Sequence, residues 1–141
     1  MVKQTKLLSI TITFLGFILI LYKTLFPFNF LFEETFSGSD KLFFIFGWGK
    51  SDPWDFLLNV LLFLPLGFGL TSYLMQKKSA VGLLVLGVIL LVSFGLSYSI
   101  EILQVFQPSR FPALSDIFSN CVGGLLGYFF YRSYQIRSFK Q

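Results

Sequence analysis

Four apolar stretches, beginning near Leu7, Phe56, Ala80 and Ala113, divide this chain, and each is about long enough to cross a bilayer as a helix. In hydrocarbon the backbone must satisfy its own hydrogen bonds, which leaves a bundle of helices as the natural solution. The breaks between the stretches predict helices at about 7–25, 55–75, 80–106 and 113–131. The expected fold is an all-α polytopic membrane protein, a small bundle of four transmembrane helices forming one domain over residues 1–141. Composition agrees: 55% of residues are hydrophobic and 13% charged, and a soluble domain of this size has no interior for twenty Phe. A bilayer accepts them as lipid-facing surface.

Four crossings sort the charges. Lys3, Lys6, Lys77, Lys78, Arg132, Arg137 and Lys140 fall on one side. Glu33, Glu34, Asp40, Asp52, Asp55, Glu101 and Asp116 fall on the other or at its edge, with Lys23, Lys41, Lys50 and Arg110. The positive-inside rule puts both termini in the cytoplasm and every carboxylate at or near the outer face. The net charge of +4 is thereby accounted for by cations that set topology, and nucleic acid is not an expected partner.

Histidine is absent, which removes Ser-His-Asp and Cys-His catalysis and His-based metal sites. Cys121 is the single cysteine, so the chain has neither an internal disulfide nor a thiolate cluster, and within an apolar helix it reads as a small packing residue. Chemistry must therefore use carboxylates, Arg, hydroxyls, amides or an oxygen-bound metal. The first stretch lacks a small-residue cleavage site after its apolar core and reads as an uncleaved anchor. The only long connection, Pro27 to Trp54, opens with the turn-like Pro27-Phe28-Asn29-Phe30. Within it Lys41 to Trp48 is too short to span, and an interfacial segment is expected there, with Trp48 and Trp54 at headgroup level. Pro65 should kink the second helix.

Polar residues recur at helical spacing. Ser97, Glu101 and Gln104 share a face of the third helix, and Asp55 with Asn59 and Asp116 with Asn120 repeat a D-x-x-x-N pattern on the second and fourth. Those two helices run the same way, so the repeats should lie at similar depth. At 1.5 Å per residue Asn120 lies roughly 18 Å from the cytoplasmic end, Asp116 about 24 Å, Asn59 about 27 Å and Glu101 about 31 Å. Carboxylates at such depth are costly unless turned towards a partner or a wet cavity, and Arg110 is the expected counter-ion. Capping explains Asp55 and Asp116 equally well, and Asn59 and Asn120 can serve as bonds between helices. Glu101, near the end of its own helix, opposes the dipole there, which marks it as the leading site residue. Gly123 and Gly127 form a GxxxG packing face.

The segment Asn59-x-x-x-Phe63-x-Pro65-x-Gly67 resembles a signature of the VanZ-like family. Glu101 with Gln104, then Arg110, then Asp116-x-x-x-Asn120-x-x-Gly123-Gly124-x-x-Gly127 resembles that family's second half, and Pro27-Phe28-Asn29 its first loop. The likeness runs from about Pro27 to Tyr131. It implies a small bacterial cytoplasmic-membrane protein whose founding relative confers low-level teicoplanin resistance. Some relatives carry a further crossing beyond the fourth.

Two functions stand open at this point. In the first, Asn59, Glu101, Gln104, Arg110, Asp116 and Asn120 form an outward-facing pocket for a lipid headgroup or cell-wall precursor, with Arg110 suited to phosphate. In the second, an enzyme acts on a lipid-linked or glycolipid substrate at the outer leaflet, Glu101 serving as acid or base and Asp116 assisting. No cofactor is expected beyond a divalent cation that carboxylates and carbonyls are able to hold. The inner halves of the helices read as Leu, Phe and Gly, which argues against a transport path. Oligomeric state is open.

Overall fold

Lys6 does not delay the first helix, for its long stem lies along the bundle with the ammonium over the Tyr73 ring, 5.8 Å from its centre. In the computed structural model, which describes residues 2–31, 48, 52–77 and 81–138, helix α1 spans Val2–Leu25. Helix α2 spans Pro53–Leu74, α3 Gly82–Val105 and α4 Leu114–Ser138. The expected all-α bundle of four helices is observed. Of the segment expected at the interface, Lys41 to Trp48, all but Trp48 lies outside the described residues, as do Glu33, Glu34, Asp40, Lys50 and Lys78.

Local chemistry sets the helix ends. Asp52 caps α2 by accepting from the Trp54 N–H at 3.3 Å, and Pro53 takes the first helical position, where its missing N–H costs nothing. The helix then runs through Pro65 to Leu74 without a break. Where the sequence places the end of the fourth helix near Tyr131, α4 instead continues to Ser138, for no Gly or Pro interrupts it and Arg132 bonds Gln135 at 3.2 Å. After α1 the chain turns sharply, with the Phe28 N–H on Leu25 O at 2.7 Å and Phe28 at φ 62, a left-handed conformation costly for an aromatic residue.

Among the described residues three helices, α1 from Thr5, α2 and α3, are long and apolar enough to cross a membrane. The fourth stretch has the length but not the apolarity. Its packed face carries Ser115, Ser119, Asn120, Gly123 and Gly127, while Phe118, Phe129 and Phe130 face outwards and are more than half exposed. A helix that spends one face on neighbours needs apolar residues only on the other. The remaining helices likewise turn bulky side chains outwards, Leu83 being 77% and Leu91 71% exposed, a surface that suits lipid rather than water.

Small residues fix how the helices meet. A Cβ on Gly123 would strike Val60 O, one on Gly127 would strike Leu64 O, and one on Gly67 would strike Gly124 O. Positions rise together along both chains, so α2 and α4 run parallel with their backbones in contact, as GxxxG packing allows. On the other flank of α2 the pairings run in opposite senses: Gly16 meets Leu66, Gly69 meets Thr13, and Ser9 Oγ lies 2.7 Å from Ser72 Oγ. Helix α1 is thus antiparallel to α2. Helix α3 leans on α4, Ser93 against Gly124 and Tyr128 Oη donating to Gly82 O at 3.3 Å. Ile20, Leu25, Phe63, Leu66 and Ile100 form the principal apolar core.

The half of the bundle near Ser9 is less apolar than the sequence suggests. Ser9, Thr13, Thr71, Ser72 and Gln76 gather there, but their hydroxyls are occupied locally. Ser9 donates to Thr5 O, Thr13 to Ser9 O and Thr71 to Gly67 O, each four residues back. Such bonds hide hydroxyls in the helix groove, and Gln76 Nε2 ties α2 to α1 by donating to Ser9 Oγ at 2.9 Å, its own Oε1 being buried without a partner among the described residues.

Candidate functional site

At the opposite end, where α1 and α3 finish and α2 and α4 begin, the four helices splay around a cavity of about 650 Å³. Its construction starts from helix ends. The last carbonyls of a helix lack internal partners, and those of α1 are met by two glutamines, one from the last turn of α3 and one just beyond it. Gln104 Nε2 donates to Thr24 O at 2.8 Å and Gln107 Nε2 to Leu25 O at 2.7 Å. The start of α4 has the converse need, for acceptors. Glu101 Oε2 accepts from the Ala113 N–H at 2.9 Å, and Trp48 O accepts from the Ser115 N–H at 3.2 Å. One turn deeper, Asn120 Nδ2 donates to Ser97 Oγ at 2.8 Å.

The polar stripe of α3 and the turn after it is therefore a row of ties, Ser97 to α4, Glu101 to the residue just before α4, and Gln104 and Gln107 to α1. It also resolves why a carboxylate sits at the unfavourable end of its own helix. Glu101 is 2% exposed and lies against the N-terminus of α4, whose dipole favours negative charge. Arg110, the expected counter-ion, makes no direct ion pair: among the described residues neither Glu101 nor Asp116 has a cation's nitrogen within 4.0 Å. Arg110 sits on an exposed turn, and the backbone N–H of Ala113 takes its place as the partner of Glu101.

All six residues singled out by sequence line the one cavity: Asn59, Glu101, Gln104, Arg110, Asp116 and Asn120. Asp55 joins them, since the parallel packing of α2 and α4 brings both D-x-x-x-N ends to the same level. Asp116 is half-buried, its carboxylate 3.5 Å from Ser115 Oγ, and Asn59 is half-buried with no side-chain hydrogen bond among the described residues. Asn120 Oδ1 is buried and has no protein partner. The carboxylates are spaced widely enough that no group of three forms a metal-ligand set among the described residues.

Sequence reasoning missed Lys23 and Thr24, which contribute from the last turn of α1, and Gln107, which it took for a turn residue. Gln107 was legible as the next step of three along the stripe 101, 104. Lys23 had no such signal, because nothing in the sequence says which side of α1 faces the other helices.

The pattern of the VanZ/LLP1 family matches residues 5–136, nearly the whole chain and all four helices. The chain belongs to the VanZ/LLP1 family. It is a membrane protein with several apolar helices, as that membership and the fold together require. No curated protein and no solved structure matches the chain. The family match covers every residue of the cavity, so the D-x-x-x-N ends and the α3 stripe fall within the family's own extent.

Proposed function

We propose that this VanZ/LLP1-family protein binds the polar headgroup of an amphiphile, a membrane lipid or lipid-linked cell-wall precursor, in a cavity facing the outer leaflet of the bacterial cytoplasmic membrane. One observation carries the reading: three carboxylates, two asparagines and two cations share one cavity with Thr24, Gln104 and Ser109, and the rest of its wall is apolar. Ties between helices account for Glu101 and Gln104 and the helix dipole suits Asp55 and Asp116 in their first turns, but neither accounts for Asn59, which has no tie to another helix among the described residues. Teicoplanin resistance would follow from altered surface composition or drug access.

Lipids co-purifying in mild detergent should include a species seen by native mass spectrometry and lost on Asn59→Leu, with teicoplanin susceptibility followed alongside. A lipid complement unchanged by that substitution, on a protein that still melts normally, would defeat the reading. The orientation has its own test. With Cys121 replaced by Ser, a cysteine at position 109 should react with a membrane-impermeant reagent in intact cells, and one at position 77 only after permeabilisation. The reverse pattern would place the cavity in the cytoplasmic leaflet.

A further inference from the structure

The lining of the cavity selects among headgroups. Its carboxylates, Asp55, Glu101 and Asp116, outnumber its cations, Lys23 and Arg110, and Arg110 stands on the exposed turn at the rim. Carboxyl oxygens in that number ask for hydrogen-bond donors, which a fully ionised phosphate lacks. Deeper, Asn120 is 2% exposed, with one end of its amide on Ser97 Oγ and the other, Oδ1, buried without a protein partner. An unmade bond at such a site costs about 1–3 kcal/mol. Since a serine hydroxyl serves as donor or acceptor, the amide fits Ser97 either way round. A ligand hydroxyl meets whichever end is free, and also donates to the carboxylates. A phosphate does neither without bringing more negative charge, and an ammonium accepts nothing from Lys23 or Arg110, whereas a hydroxyl both donates to the carboxylates and accepts from those cations.

The apolar wall points to where the rest of the molecule goes. Leu58 and Leu61 of α2 and Leu19 of α1 line the cavity and are also about half exposed on the outer surface of the bundle, Leu58 at 47%, Leu61 at 52% and Leu19 at 46%. The cavity therefore continues sideways, along the α1–α2 flank, onto surface that faces acyl chains. Resting on the binding function proposed above, we infer that the ligand is a lipid with an uncharged, hydroxyl-rich headgroup, a glycosyl or polyol lipid. Its hydroxyls would meet Asn120, Asp116 and Asp55, and its tail would leave past Leu19, Leu58 and Leu61.

The test is retention in detergent micelles doped with one probe at a time: dihexosyl diacylglycerol, phosphatidic acid, phosphatidylethanolamine, a free disaccharide or inorganic phosphate. Native mass spectrometry and thermal melting provide the readouts. The glycosyl lipid should be retained at least about tenfold better than the others and should raise the melting temperature. Asn120→Leu should reduce that retention about tenfold. Leu61→Trp, on exposed surface and so harmless to folding, should reduce it by blocking the tail's path. Retention of phosphatidic acid or phosphate at the same level would overturn the headgroup class, as would preference for the ethanolamine lipid. Equal binding of the free disaccharide, or a Leu61→Trp variant that retains lipid normally, would overturn the sideways path. Failure to retain any lipid would sink the binding function itself, and so is distinguishable from these outcomes.

Discussion

Gly67→Leu should abolish accumulation of folded protein, and even Gly67→Ala should lower stability by about 3 kcal/mol, the upper end for overpacking. The reason is what the new atom meets. A Cβ at Gly67 would press on Gly124 O and lie 2.8 Å from Gly124 Cα and 2.9 Å from its carbonyl carbon. These are backbone atoms of a helix already tied to α3, so neither side can yield by changing a rotamer. The control lies within the same molecule. Gly87 and Gly95 of α3 have nothing within 4 Å of an added Cβ, and alanine at either should leave melting unchanged or raise it slightly, as helix propensity favours. Melting in detergent for the three alanine variants decides the matter. A Gly67→Ala protein as stable as the Gly87→Ala protein would mean that α2 and α4 are not in backbone contact.

Glu101 should split into two roles when replaced in two ways. Glutamine keeps a side-chain oxygen for the Ala113 N–H, so Glu101→Gln should melt within about 1 kcal/mol of the parent, losing only the favourable charge at the start of α4. Leucine removes the acceptor and strands a buried N–H, which should cost about 1–3 kcal/mol. Ligand retention should fall in both variants if the carboxylate takes part in binding. A Glu101→Gln protein that retains lipid as the parent does would confine Glu101 to capping. Melting beside lipid retention, on both variants, separates the possibilities where either measurement alone cannot.

Much of this was readable from residues alone because the periodicities are strong. Four long apolar runs dictate four helices, and the repeated D-x-x-x-N pattern with helices of equal direction places Asp55 and Asn59 level with Asp116 and Asn120. Convergence of Asn59, Glu101, Gln104, Arg110, Asp116 and Asn120 on one cavity follows from the same facts. Partners were harder to foresee, since they depend on which helix ends come together. Glu101 looked destined for Arg110, the only cation on the next turn, because a sequence displays side chains and hides the free N–H groups that compete with them. Gln104 and Gln107 reach carbonyls about eighty residues away for the same reason. The hydroxyls near Ser9 were passed over because apolar neighbours outnumber them. Their bonds to carbonyls four residues back allow them to be there at little cost.

Backbone contact between α2 and α4 also bears on how the molecule answers to its bilayer. A helix longer or shorter than the hydrocarbon around it adjusts by tilting, and loosely packed neighbours tilt independently. Here Gly67, Gly123 and Gly127 leave no side-chain cushion in which one helix can slide or rotate on the other. The pair leans as one post, so a change in membrane thickness raises or lowers Asp55 and Asp116 together and preserves the spacing between them.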